Sequence, residues 1–246
     1  MKVSIITAVF NRHSTLEHSI SSVQSQTYPN IEHIFVDGLS NDGSVDLIRR
    51  LMRHHDKLIS EKDSGIYDAL NKGILMSTGD IIGVMHSDDY FSDTNVVKNV
   101  VNEFLAKNID AVYGDLDYVS KTNSDKILRH WKSGEFSYGK LKFGWMPPHP
   151  TLFLRKEVFH LYGLYNQDLR ISADYDAILR YFKLGNIRAK YIPRVLVKMR
   201  IGGESNKSFR KVLLKTREDF HAIKSNKIGG IMTLICKNIR KLSQFF

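Results

Sequence analysis

The chain has a single cysteine, Cys236, so no disulfide can close within it and a reducing compartment is the expectation. Long apolar runs are also missing. The stretch IGGIMTLIC at 228–236 is far short of the roughly 20 residues needed to span a bilayer. The N-terminal MKVSIITAVFNR has one lysine and an apolar run that stops at Asn11 and Arg12. It lacks the longer apolar region and small-residue cleavage site of a signal peptide and reads as a first strand. Residues 7–15, TAVFNRHST, contain no glycine, which counts against a loop that cradles a triphosphate after the first strand. Internal repeats, low-complexity linkers, zinc-finger spacings and RNP-like aromatic motifs are all absent.

What is present is a basic, core-forming chain. Its 42% hydrophobic residues can fill one large domain or two small ones, and its formal charge of +10 favours an anionic partner. Nucleic acid, an anionic membrane surface and phosphate-bearing substrates all fit that charge.

The first 115 residues alternate β-branched runs with helix-patterned stretches. Val3 to Val9 is a predicted strand, and Ser14 with Glu17 forms a capping box that opens a helix. Ile31 to Val36 is a second strand ending at Asp37, followed by a helix with Leu47, Ile48, Leu51 and Met52. A strand at 58–60, a helix at 66–76, a strand at 80–85, a helix at 95–107 and a strand at 109–113 complete the series. Strands separated by helices argue for βαβ units and a mostly parallel sheet, whose ligands bind at the carboxyl ends of the strands. Asp37, the segment from Glu61 to Asp63, and the Asp88–Asp89 pair all follow predicted strands, so they should meet at one rim. Residues 116–206 carry four of the five prolines and read as an elaboration of the same domain.

Each acidic segment alone has a plain structural reading. Asp88 and Asp89, in GVMHSDDYF, are hard oxygen ligands suited to a divalent cation and its diphosphate, or they favour the dipole of the following helix. VDGLSNDGS is an ordinary βα turn in isolation, and EKDSGIYDALNKG a solvated face.

Taken together, VSIITAVFNR, VDGLSNDGS, SEKDSGIYDALNKGI and TGDIIGVMHSDDYF occur in an order and spacing that resembles family 2 glycosyltransferases of the GT-A fold. The similarity covers roughly residues 2–205 and is closest to bacterial enzymes building colanic acid, capsule and O-antigen repeats. It implies an α/β GT-A (Rossmann-like) domain over residues 1–206 with a mostly parallel sheet flanked by helices. Residues 1–115 would be its nucleotide-sugar-binding half and 116–206 its acceptor half. The resemblance implies that Thr7, Ala8, Phe10 and Asn11, with Asp37, hold the base of a UDP- or GDP-sugar. Asp63 contacts the nucleoside, with Asn71, Lys72 and Asp88 as further donor-site candidates. Asp88 and Asp89 match the end of the family's Asp-x-Asp-Asp motif and are the implied ligands of Mg²⁺ or Mn²⁺. His86 stands where the motif starts with aspartate; it is a ribose contact, a neutral filler or, less in keeping with oxygen-preferring Mg²⁺, a ligand. ISADYDAILRYFKLG resembles the segment carrying the catalytic base, with Ala173 at the usual Glu position and Asp174 as base; helix capping is the competing role for Asp174 and Asp176. His149, between prolines, resembles the acceptor segment, and Arg200 before Gly202-Gly203 suits a loop closing over phosphates; a turn residue and a surface cation are the alternatives.

Residues 207–246 read as a helical tail. At 100° per residue Ile231, Leu234, Ile235, Ile239, Leu242 and Phe246 share a face, with Lys237, Arg240 and Lys241 opposite. Such a helix lies on an anionic membrane, or packs its apolar face on the protein or on a second subunit in a homodimer. The expectation is a metal-dependent inverting glycosyltransferase, cytoplasmic and peripheral on the inner membrane face, acting on a polyprenyl-diphosphate-linked saccharide. A nucleotidyltransferase is disfavoured by the glycine-free loop. A nucleic-acid-binding protein is disfavoured by acidic clusters at the rim.

Overall fold

The computed structural model describes residues 1–106, 108–184, 187–201 and 209–241. In its first half β1 (Val3–Val9), α1 (His13–Gln24), β2 (Ile31–Asp37), α2 (Ser44–Leu51), β3 (Lys57–Ser60), α3 (Ile66–Met76) and β4 (Ile81–Val84) alternate. The short β5 (Tyr90–Phe91), α4 (Val96–Ala106) and the long β6 (Ala111–Val119) follow. Next come β7 (Ile127–Trp131), α5 (Tyr138–Lys142), a 3₁₀ turn (His149–Thr151), β8 (Phe153–Arg155), α6 (Lys156–Tyr162), α7 (Ala173–Leu184) and β9 (Ala189–Arg200). Two helices end the described chain, α8 (Phe209–Ser225) and α9 (Ile231–Arg240).

The nine strands form one sheet in the order β3-β2-β1-β4-β8-β6-β9-β5, with β7 on the side of β6. β3, β2, β1 and β4 run parallel, and β6 pairs with β9 in parallel through its length; β8 joins the two groups antiparallel to both β4 and β6. Every residue of β2 is buried, as a central strand covered on both faces must be. Alternate side chains feed two cores: Ile6, Ile34 and Tyr113 face one layer, while Ile5, Val3 and Val112 face the other with α4.

Three expectations are revised. The α1 capping box does not form. The helix begins two residues earlier, with Arg12 as N-cap, because Asp42 Oδ2 accepts the His13 N–H at 2.9 Å and Ser44 Oγ the Arg12 N–H at 3.1 Å, an outside cap supplied by the next βα turn. The strand expected at 109–113 continues to Val119, since β9 pairs with it that far. The tail is two helices built into the body: Ala222, Ile223, Ile228 and Leu234 belong to the same core as Ile6 and Ile34.

The two faces expected of the tail are divided rather than turned in or out as wholes: Leu234 and Lys237 are both buried, and Arg240 is exposed. α9 buries Thr233, Leu234 and Lys237 and exposes Ile231, Met232, Ile235 and Ile239. Lys237, 5% exposed, sits 2.6 Å from Asp219 of α8 and 3.4 Å above the Tyr175 ring. Its backbone approaches so closely that a Cβ on Gly144, itself at φ +71°, would lie 2.5 Å from Lys237 Cα. The expected Leu242 and Phe246 contacts lie outside the described residues, as does the 206/207 boundary.

Candidate active site

The first cluster forms where β1 and β2 end side by side, with Val9 in register with Asp37. Asp37 is fully buried; its Oδ2 accepts hydrogen bonds from Ser60 Oγ at 2.7 Å and Ser40 N at 3.0 Å. Its Oδ1 is buried with no hydrogen bond among the described residues, a polar atom awaiting a donor. Gly38 permits the next approach, since a Cβ there would lie 2.4 Å from Asp63 Oδ2 and 3.4 Å from the exposed Phe10 ring. Asp63 Oδ1 accepts the Gly65 N–H at 3.0 Å. Burial raises the Asp63 carboxyl above the usual range; nearby Asp68 and Asp37 add to the rise, and the Gly65 bond opposes it. Asn11, at φ 51°, accepts the Asn41 N–H at 3.0 Å and fixes the facing loop.

Phe10, Asn11, Asp37 and Asp63 are thus brought together, and other expected members are not. Thr7 points into the core, where its hydroxyl meets His33 Nε2 at 2.8 Å, and Ala8 is a half-buried strand residue beside it. Both sides of the Asn71 amide are taken up by the Tyr165 backbone, at 2.9 and 3.0 Å, which ties α3 to the second half of the chain. Lys72 is intermediate: it pairs with Glu61 at 2.8 Å and Asp68 at 3.5 Å, and its charge also acts on the Asp63 carboxyl.

The second cluster gathers after β4 and at the start of α7. Asp88 and Asp174 both act electrostatically on the half-buried His86, and Asp174 also acts on His149. The two imidazole rings are 5.9 Å apart. Burial lowers the His86 ring and pulls His149 down to about 4, so both are neutral at pH 7. Asp174 Oδ1 is bonded by the Tyr67 hydroxyl at 3.1 Å and by the Tyr175 N–H at 2.8 Å, while Oδ2 has no hydrogen bond among the described residues. Tyr118 faces both Asp89 and Asp174. A cavity of about 290 Å³ opens beside Tyr67, lined by Ser64, Ile66, Asp68, Gln167 and Arg170.

His149 does not reach outward for an acceptor: it is buried, with Nε2 2.7 Å from the Tyr165 hydroxyl, and forms a wall of the site. Arg200 clasps the aspartate loop, donating from Nη1 to the Asp88 carbonyl at 2.6 Å and from its backbone N–H to Asp89 Oδ1 at 3.1 Å. Its guanidinium also bonds His18 and lies 4.9 Å above the Tyr90 ring. Gly202 and Gly203 are outside the described residues.

For a divalent cation the fit is partial but consistent. No group of three or more His, Cys, Asp or Glu forms a cage among the described residues. Magnesium-type sites commonly use one or two carboxylates and complete the shell with substrate phosphates and water. Asp88 is half-buried and its carboxylate makes no hydrogen bond with the described residues, so it is available to such an ion. Asp89 is 1% exposed, with Oδ2 unpartnered, and burial with the charge of Asp88 raises its carboxyl well above the usual range. Its negative charge needs a nearby cation or a proton. Tyr67, Tyr118, Tyr165, Ser40 and Ser60 were not singled out from sequence; tyrosines in apolar stretches read as core until the fold aims their hydroxyls.

A family profile described as glycosyl transferase family 2 matches residues 4–161. A PGL/p-HBAD biosynthesis glycosyltransferase of Mycobacterium bovis (strain BCG / Pasteur 1173P2) is 30% identical over 223 residues, 86% of this chain and 82% of that protein. Among solved structures, S. aureus TarS 1-349 in complex with UDP-GlcNAc superposes with a TM-score of 0.69 at 12% identity, over 92% of this chain. Mannosyltransferase PcManGT from Pyrobaculum calidifontis, in complex with GDP-Man and Mn2+, gives 0.66 at 18% identity over 91%. This chain spans 65% and 63% of those two solved chains, and the shared fold is GT-A. The profile runs from β1 into α6 and the mycobacterial relative aligns over most of both chains, so the chain belongs to glycosyltransferase family 2.

Proposed function

We propose that the chain is an inverting, metal-dependent transferase that moves a sugar from a UDP- or GDP-sugar to an acceptor hydroxyl. The observation that carries this is the meeting of Asp88 and Asp174 around His86, with the Asp37–Asp63 cluster at the same sheet rim. Phe10, Asn11, Asp37 and Asp63 receive the nucleoside, the unpartnered Asp37 Oδ1 accepting a base or ribose donor. Asp174 is the general base. Tyr67 and the α7 amide hold its Oδ1, leaving Oδ2 to take the proton of the acceptor hydroxyl as that oxygen bonds to the anomeric carbon. The bond from that carbon to the diphosphate breaks on the opposite face, and its electrons leave with the nucleoside diphosphate. Asp88, next to Asp89, would hold a divalent cation, which when bound would neutralise charge on that leaving group. Neutral His86 and His149 add no further charge to the site.

The acceptor in this reading is a saccharide on a polyprenyl diphosphate, met at the inner face of the cytoplasmic membrane. Support comes from the exposed Ile231, Met232, Ile235 and Ile239 of α9 and the exposed Val212 and Leu213 of α8, in a segment, 209–241, with nine basic residues, Lys237 alone among them buried on α9, and two acidic ones. No helix among the described residues is long and apolar enough to cross a membrane.

The test is Asp174→Asn in a screen of UDP- and GDP-sugars with Mn²⁺. Nucleoside diphosphate release and transfer should vanish, while calorimetric donor binding stays close to wild type. Surviving turnover would remove Asp174 as the base.

A further inference from the structure

The turn that launches α7 presents three consecutive backbone N–H groups, and one carboxylate from the far end of the chain takes all of them. Arg170 N donates to Glu218 Oε1 at 3.0 Å; Ile171 N and Ser172 N donate to Oε2 at 2.8 and 2.9 Å. Glu218, in the middle of α8, is 6% exposed. Charge-assisted bonds of this kind are shorter and stronger than neutral ones, and three on one carboxylate fix the turn in both distance and orientation.

The turn leads directly to the base. Tyr67 Oη lies 2.7 Å from the Ile171 carbonyl and 3.1 Å from Asp174 Oδ1. A tyrosine hydroxyl has one proton, so the two acceptors share it. The Ile171 residue whose N–H is held by Glu218 therefore also governs, through its carbonyl, how Tyr67 orients Asp174. Among the described residues Tyr67 is the only side-chain hydrogen-bond donor to Asp174, the Tyr175 backbone N–H being its other donor. Residue 173, ahead of the base, is a fully buried alanine with no carboxylate of its own.

We infer that Glu218 is a positioning residue for the transfer reaction, acting through the 170–172 turn and Tyr67 to aim Asp174 at the acceptor hydroxyl. The inference rests on Asp174 being the base. It lies outside the 4–161 span matched by the family profile and gives α8 a part in catalysis.

The experiment uses the full chain and Glu218→Gln, which keeps size but places an amide N–H against N–H donors. UDP-GlcNAc and GDP-mannose with Mn²⁺ are the probes, read by nucleoside diphosphate release and by calorimetry with the donor. The expected result is a fall in kcat of about a hundredfold, the scale of an ångström-level misplacement. Donor KM, Kd and binding stoichiometry should be unchanged, and the 170–172 amides should exchange faster. Leu234→Ala, in the core under α9, is the control: it should lower Tm yet keep kcat. If Glu218→Gln does not fold, Glu218→Asp keeps the charge, retracts it by one methylene, and should show a smaller loss confined to kcat. Turnover within twofold of wild type despite faster 170–172 exchange, or parallel losses in kcat and donor stoichiometry, overturns the inference. Asp174→Asn separates the two ideas: turnover surviving there removes the base itself, whereas a dead Asp174→Asn beside a fully active Glu218→Gln removes only the role of Glu218.

Discussion

Replacing Asp219 by asparagine should loosen α9 from the body at a cost of about 3–5 kcal/mol, the range for breaking a buried ion pair from one side. Asp219 is 2% exposed and lies between two cations, Lys237 at 2.6 Å and Lys215 at 2.7 Å. Its Oδ1 meets the Lys237 ammonium in a short, charge-assisted contact. Without the negative charge, Lys237 stays buried against a neutral amide and the Tyr175 ring face, and Lys215 adds repulsion. Lys237→Met should cost less, because it removes the buried charge, roughly keeps the volume and leaves Asp219 paired with Lys215. The Asp219→Asn/Lys237→Met double variant should therefore be more stable than Asp219→Asn alone, a coupling of opposite sign to simple additivity. Urea unfolding reads these differences in the midpoint at constant slope. In heat the aspartate substitution should lower Tm by about 6–20 °C, at roughly 2–4 °C per kcal/mol for a chain of this size. A loss below about 1 kcal/mol, or a double variant as unstable as the sum of the singles, would refute the electrostatic account of how α9 is docked.

The same pair sets a pH dependence. Burial brings Lys237 down to about 7, with Lys215 contributing against the opposing pull of Asp219, so between pH 7 and its unfolded value near 10.5 the native state binds fewer protons and stability rises with pH. Lys237→Met should flatten that rise in urea titrations at pH 7 and 9; an unchanged slope contradicts it. Asp88→Asn should weaken calorimetric UDP binding at least about tenfold in Mn²⁺ and little in EDTA, and equal wild-type affinity with and without metal would dismiss the cation. Ile235→Glu, on the exposed face of α9, should weaken binding to phosphatidylserine vesicles about thirtyfold, from about 1 kcal/mol of lost apolar burial and about 1 kcal/mol of charge repulsion. Unchanged sedimentation with vesicles would reject the membrane face.

Strong local periodicity carried much of the first half. α3 spans Ile66–Met76 as expected, β1 spans Val3–Val9, and β2 runs one residue past its expected end to Asp37. What sequence could not supply was partners distant in the chain. The capping box at Ser14 was chemically reasonable, but the α1 terminus is capped from 29 residues downstream by Asp42. Tyr67 and Asp174 are 107 positions apart, and only packing α3 against α7 makes one hydroxyl a ligand of the other's carboxylate. Asn71 and His149 looked like ligand contacts for the converse reason: polar side chains near a site motif, with no sequence signal that Tyr165 occupies both. For α9, periodicity identified an apolar and a basic face but not which one turns inward. Asp219, on a different helix, draws Lys237 inward beside Leu234, while Arg240 stays exposed.

The inward Lys237 changes what a deletion can report. α8 grips α7 near both ends: Glu218 bonds the turn before its first residue, Asn226 Nδ2 donates to Asp176 Oδ1 at 2.8 Å, and Lys183 reaches the Lys227 carbonyl at 2.9 Å. Removing residues 225–246 to test membrane attachment would take away Asn226, Lys227 and the Lys237–Asp219 lock, freeing the helix that carries Asp174 at its N-terminus. Lost activity on a membrane-bound acceptor would then have two causes that no vesicle assay could separate. Substitutions on the outward face avoid the confusion, because Ile231, Ile235 and Ile239 are exposed while Lys237 holds α9 from the other side. A variant that leaves vesicles yet still releases nucleoside diphosphate at the wild-type rate places the membrane contact outside catalysis. If both fall together, the outward face and the base are coupled through the α7–α8 pair.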